Sequence, residues 1–289
     1  MTIIHAFLNG VGTSCRKARM LGYLWAVNLV FSLILITPFF LLVNREFGHS
    51  LAGGSLGRLD LVWMADFQYK YWDLQPSLLL WTLVPLGFYI LVSIFLNGGI
   101  LGRIAAPEEK TGPQAFFGDC GRFFWRFLRV FLISIAAYII VFGVVFKILA
   151  APLDAWIKSA PSERPGLIAS NIRFLIALLL LSVVQMFFDY VKVSLAAEDG
   201  KRTLQAVGRT AGFLGRNFFK AWVLYLLVAV MFFALTVAFG IAGNGFPGGG
   251  PAAVAAAFVW SQIYVLFRLW TKVLFFSTEY HFYERAHNS

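Results

Sequence analysis

From Ala221 to Phe267 the chain carries no Asp, Glu, Lys or Arg over 47 positions. One helical crossing of a bilayer needs about 20 apolar residues, so this run holds two. The break between them is Asn244-Gly245-Phe246-Pro247-Gly248-Gly249-Gly250-Pro251, where glycine and proline end helices and turn the chain. Met20–Asn44 and Leu74–Gly102 are charge-free as well. They predict a first span near Gly22–Val43 and a second near Ser77–Leu96. A third runs from Val130 to Ala150, and a fourth lies between Arg173 and Lys192. The first run is too long for a signal-peptide core, and Gly12, Thr13 and Ser14 do not make a lipoprotein box before Cys15.

Composition agrees. The chain is 60% hydrophobic and 13% charged, with 31 Phe, against roughly 45–50% and 25% for soluble domains. That excludes a soluble enzyme, a secreted disulfide scaffold and a disordered chain. The solvent of this protein is lipid.

The net charge of +10 is unevenly placed. With six spans, one side holds 17 of the 24 Lys and Arg: Arg16, Lys17, Arg19, Arg103, Lys110, Arg122, Arg126, Arg129, Lys192, Lys201, Arg202, Arg209, Arg216, Lys220, Arg268, Lys272 and Arg285. The other side holds 7. A basic excess marks the cytoplasmic side, so both termini are expected there, and nucleic acid is not an expected partner. Cys15 and Cys120 fall on that side, where thiols stay reduced. His5, His49, His281 and His287 are not at metal-ligand spacing, and neither a metal nor a cofactor is expected.

The chain also resembles itself. At an offset of 91 residues, 105–132 align with 196–223 through Ala105/Ala196, Ala106/Ala197, Lys110/Lys201, Gln114/Gln205, Ala115/Ala206, Gly121/Gly212 and Phe127/Phe218. A fainter copy at the start pairs Thr13 with Thr210, Arg19 with Arg216, Trp25 with Trp222 and Leu29 with Leu226. Each copy reads as an amphipathic elbow helix leading into a span. In the third, Leu204, Val207, Ala211, Leu214 and Phe218 share a face, with Lys201, Arg202, Arg209 and Arg216 largely off it. In the second, Phe116, Phe117, Cys120, Phe123, Phe124 and Phe127 form the stripe. Such helices lie in the headgroup plane. Lys201, Arg202, Arg209 and Arg216 are then candidates for contact with anionic lipid or an acidic partner. The expected fold is an all-α integral membrane protein: one polytopic domain, residues 1–289, with six transmembrane helices in three units (about 1–102, 103–195 and 196–289) of elbow helix plus helical hairpin.

Phe188-Asp189-Tyr190, the Ala196-Ala197-Glu198-Asp199-Gly200 turn and the elbow from Ala206 to Arg216 carry a family likeness. Over about residues 80–240 the chain resembles a group of poorly characterised six-span bacterial membrane proteins. That group includes the membrane domain preceding some glycerophosphoryl diester phosphodiesterases. The resemblance implies a fold and a bacterial inner-membrane setting, not an activity, because the phosphodiesterase barrel has no counterpart in this sequence.

Polar groups within the spans are few: Asn28, Ser32 and Thr37, then Ser182 and Gln185, then Ser261, Gln262 and Tyr264. No Ser–His or Ser–Lys pair, aspartate pair or Walker-type loop is present. Gly98-Gly99-Ile100-Leu101-Gly102 and Gly208–Gly212 read as close helix packing. The segment 44–76 reads as an interfacial outer helix or a lid. The leading expectation is a non-enzymatic scaffold or accessory subunit, contacting membrane lipids and a protein partner or a second copy. The alternative is a small transporter or permease for a lipid or apolar solute, with Asn28, Gln185 and Gln262 lining a polar cavity. Asp189 is the acid at a span end. From Arg173 it is 16 residues, or about 24 Å of helix, within a hydrocarbon layer of about 30 Å. It needs a partner. Lys192 shares its face, and Arg268, at similar depth, is the candidate for an interhelical ion pair.

The orientation is testable by labelling. Single cysteines at Gly53, Ser162 and Gly249 are expected to react with an impermeant thiol reagent added outside. Labelling at Gly200 instead would reverse the topology.

Overall fold

The computed structural model describes residues 3–47, 69, 75–106, 112–159, 164–200, 202–243 and 251–287. Among them the chain is helical and has no strand. Helix α1 is Ile3–Arg16, α2 Arg19–Phe47, α3 Gln75–Ala105 and α4 Pro113–Ile140. A π-helical turn, Val141–Val145, joins α4 to α5, Phe146–Ser159; then come α6, Arg164–Ala197, α7, Thr203–Gly243, and α8, Pro251–His287. Six helical stretches are long and apolar enough to cross a membrane. They answer to the six expected spans. The 244–250 hairpin, most of the 44–76 segment and Lys201 lie outside the described residues.

The apolar middles of these helices are largely uncovered: Leu33, Phe40, Trp81, Ile139, Leu175, Val230 and Phe258 are all exposed. In water such surface would be untenable. In lipid it is the solvent-facing side.

The chain divides into two compact units that interleave along the sequence. The first comprises Met1–Lys17, Ile94–Met231 and Lys272–Ser289; the second comprises Ala18–Ser93 and Phe232–Thr271. In the first unit the buried residues concentrate where helix ends meet the elbow segments. Ile100 and Leu101 of α3, Phe116, Cys120, Phe123 and Phe127 of α4, and Tyr190, Val191, Val193 and Leu195 of α6 are covered. So are Leu274, Phe276, Phe282 and Tyr283 of α8. Ile94–Leu101 and Val184–Val191 carry the same succession of buried and part-exposed positions.

Each elbow segment seats on the end of a long helix. α3 meets the first turns of α4 through glycine. A Cβ on Gly99 would collide with the Cys120 sulfur and lie 2.7 Å from the Phe116 ring, and one on Gly98 would lie 3.2 Å from the Cys120 carbonyl oxygen. At Gly102 the carboxylate of Asp119 fills the side-chain space, 2.7 Å from where a Cβ would stand, and takes Arg103 Nε at 2.6 Å. α1 seats on α8 in the same manner. Gly10 abuts Thr278, and Thr13 Oγ1 hydrogen-bonds His281 Nε2 at 2.8 Å. Lys17, just past α1, donates to the carbonyl oxygens of Arg103 and Ala106, covering the C-terminal carbonyls of α3. The third elbow, the start of α7, is held by Arg209 to Glu198 at the end of α6.

Two elbow features depart from expectation. The second elbow is not a separate helix: α4 runs without interruption from Pro113 to Ile140. Its basic and aromatic residues are helix-compatible, and no proline follows Pro113 to break the ladder. The third elbow is joined to its span across a non-helical residue, Asn217 (φ −123°, ψ 16°). Its covered face is also not the apolar stripe read from the sequence. Thr203, Ala206, Thr210 and Leu214 are buried, whereas Leu204 and Ala211 are exposed. In lipid the large apolar side chains lose little by facing outward, and small residues let backbones approach. For the same reason one glycine pair packs and the other does not: Gly208 and Gly212 meet nothing within 4 Å.

The α3–α4 contact makes a graded prediction. Gly99→Ala is expected to destabilise the detergent-solubilised protein by about 1–3 kcal/mol through overpacking. Gly118→Ala, where nothing lies within 4 Å, is expected to be neutral or stabilising by up to about 1 kcal/mol. Thermal unfolding of both variants measures the contrast.

Candidate functional site

The groups that could do chemistry gather in the first unit, between α4, α6, α7 and α8. α6 supplies most of them because residues three and four apart share a face. Tyr138 Oη of α4 donates to Gln185 Oε1 at 2.8 Å. Gln185 Nε2 donates to Asp189 Oδ2 at 3.3 Å, and Lys192 Nζ donates to Asp189 Oδ1 at 2.7 Å. The Asp189 side chain is 8% exposed and that of Lys192 16%. Lys192 also lies 5.8 Å from the Phe276 ring centroid of α8, a cation–π distance.

The ion pair at Asp189 is therefore made within its own helix, by Lys192. Arg268, the candidate for an interhelical pair, is exposed and belongs to the other compact unit; the pair seen at Asp189 is the one with Lys192. The physical reason is geometric: a lysine three residues on reaches back over one turn without immobilising a second helix.

Glu279 of α8 joins this cluster, and the sequence reading passed over it. It is 1% exposed, and neither carboxyl oxygen has a hydrogen-bond partner among the described residues. One turn to either side of it, Phe276 meets Lys192 at 5.8 Å and Phe282 meets Tyr190 at 6.3 Å, so this stretch of α8 lies against α6. The signal was available. Glu279 is the only charged residue between Lys272 and Glu284, in a stretch rich in Phe and Tyr.

A second network borders the first. Tyr283 Oη donates to Glu198 Oε1 at 2.6 Å and reaches Ser194 Oγ at 3.2 Å. Glu198 also accepts from Arg209. Asp199, in the left-handed region (φ 47°), turns the chain out of α6, a conformation that a short polar side chain tolerates. Its carboxylate is clasped by Arg126 at 2.6 Å and Arg122 at 2.5 Å. The hydrogen bond from Arg126, with those from Arg122, holds the Asp199 carboxyl below the usual carboxylate range.

Of the basic residues singled out on the third elbow, Arg202, Arg209 and Arg216 are exposed, and Arg209 is engaged by Glu198. Lys201 lies outside the described residues. The in-span amides are engaged too. In the second unit Asn28 accepts from Tyr89 at 2.7 Å and Gln262 accepts from Trp25 at 2.9 Å. In the first, Gln185 accepts from Tyr138. Among the described residues no group of three or more His, Cys, Asp and Glu is placed to hold a metal ion. No protein family, curated protein or solved structure matches this chain.

The pairing at Asp189 can be tested by removing each cation in turn. Lys192→Met is expected to cost about 3–5 kcal/mol, because it leaves a buried carboxylate without its partner. Arg268→Met, at an exposed position, is expected to stay within about 0.5 kcal/mol of wild type. The yield and unfolding temperature of the two purified variants measure the difference.

Proposed function

We propose that this integral membrane protein is a non-enzymatic scaffold or accessory subunit. Its basic elbow segments would contact anionic lipid or an acidic protein partner on the cytoplasmic side. The observation that carries this reading is the seating of the elbows. α1 is fixed to α8, the start of α4 to α3, and the start of α7 to α6, by close glycine contact, hydrogen bonds or ion pairs. A segment held so firmly presents its outer cations, Arg202 and Arg216 among them, in a fixed arrangement.

The engaged amides support the same reading. A solute path needs unspent hydrogen-bonding groups facing it. The side-chain oxygens of Asn28, Gln185 and Gln262 each accept from a Tyr or Trp of a neighbouring helix. A bacterial inner-membrane location, cytoplasmic termini and kinship with the six-span bacterial group belong to the same proposal. The permease reading keeps one observation in its favour, the buried acids Asp189 and Glu279.

Arg202→Glu combined with Arg216→Glu leaves the Arg209–Glu198 contact in place. At about 1 kcal/mol per basic residue near an anionic surface, the double reversal is expected to lower retained anionic phospholipid by about tenfold or more. The span count should not change. Mass-spectrometric lipid analysis of the purified protein, with partner recovery from native membranes, measures it. If both stay at wild-type levels, the scaffold reading fails.

A further inference from the structure

Glu279 is the buried ionisable group that the contacts so far do not satisfy. Its charge environment can be counted. Phe276 and Phe282, one turn to either side of Glu279, pack on Lys192 and Tyr190 of α6, where Asp189 and Lys192 already form a closed pair at 2.7 Å. Tyr190 is 0% exposed, and its hydroxyl likewise has no hydrogen-bond partner among the described residues. From α7 the Tyr225 ring packs on Phe275 at 5.0 Å, and from α4 Tyr138 donates to Gln185, which donates to Asp189. Two acids and one base leave one surplus negative charge, on a carboxylate removed from water.

An isolated buried carboxylate costs several kcal/mol even after relaxation, and a protein meets that cost with a countercharge. Lys192 is committed to Asp189. One positive charge is missing, and a monovalent cation supplies it without reversing the sign of the cluster.

We propose that Glu279, together with the Tyr190 hydroxyl, forms a buried site for one monovalent cation, a proton or an alkali ion. The Asp189–Lys192 pair beside it sets the site's charge: while that pair is closed, Glu279 needs an external cation. The inference does not depend on the scaffold reading, since a sealed cation site suits a structural subunit and a permease alike.

The test uses the full chain purified in detergent, with two series of thermal unfolding. One compares choline, sodium and potassium chloride at constant ionic strength; the other varies pH in choline chloride. A ligand that binds only the folded state raises its stability with concentration. If the cation is an alkali ion, sodium or potassium is expected to raise the wild-type midpoint over choline by about 2–4 °C at roughly tenfold excess over its dissociation constant. If it is a proton, the salts are equivalent, and acidification favours wild type relative to Glu279→Gln. Either result supports the site and names its occupant. Wild type and Glu279→Gln behaving alike in both series would overturn it.

Asp189→Asn is the second variant, for use also if Glu279→Gln does not fold. It releases Lys192 to neutralise Glu279, so the dependence seen in wild type is expected to vanish. If that dependence persists at full size in Asp189→Asn, the inference fails.

Discussion

A lipid bilayer is as apolar as a leucine side chain, so burying apolar surface between helices gains little there. What joins the helices of this chain is what the bilayer cannot supply: close backbone approach, hydrogen bonds and ion pairs. Gly98, Gly99 and Gly102 let α3 reach the backbone of α4, and Gly10 lets α1 reach Thr278. Tyr–amide and Trp–amide hydrogen bonds join spans elsewhere. The same constraint turns Leu204 and Phe219 outward and buries Thr203, Ala206 and Thr210. Large apolar side chains therefore occur on the outer face as well as in the core.

Much of this was legible in the sequence, because charge-free runs are a direct reading of bilayer thickness. The spans and the all-α class follow from it, and the Gly98–Gly102 contact from small residues four apart. The partner of Asp189 was half legible: a lysine at i+3 is local, and local geometry is what a sequence encodes. The buried face of the third elbow was not legible. Helical periodicity names an apolar face but not which solvent it meets, and with lipid outside, the apolar face can be the outer one. Glu279 escaped for a related reason. In a helix apolar on all sides, periodicity does not mark the face turned to the protein, and only the packing of α6 and α7 around it makes the position buried.

The elbow segments explain how charge can be buried at all in this chain. At the end of a bare span, an acid would meet water or headgroups and need no internal partner. Here α1 covers α8 at Gly10–Thr278, one residue from Glu279. From the third elbow, Phe213 stacks with Tyr190 (ring centroids 5.8 Å apart), Phe282 (6.0 Å) and Tyr283 (5.0 Å). Tyr190 follows Asp189 in α6 and Phe282 lies one turn beyond Glu279 in α8, so these rings pack next to both acids, which are buried.

That geometry also links the buried charges to the surface ones. Arg209 holds Glu198, and Glu198 is the acceptor for Tyr283, whose ring packs on Phe213. The same Phe213 ring packs on Tyr190, next in sequence to Asp189. The third elbow is held at the same time by its covered face, Thr203, Ala206, Thr210 and Leu214, and by Arg209 on Glu198, so the rings around Phe213 are one of several contacts that fix it beside the buried acids.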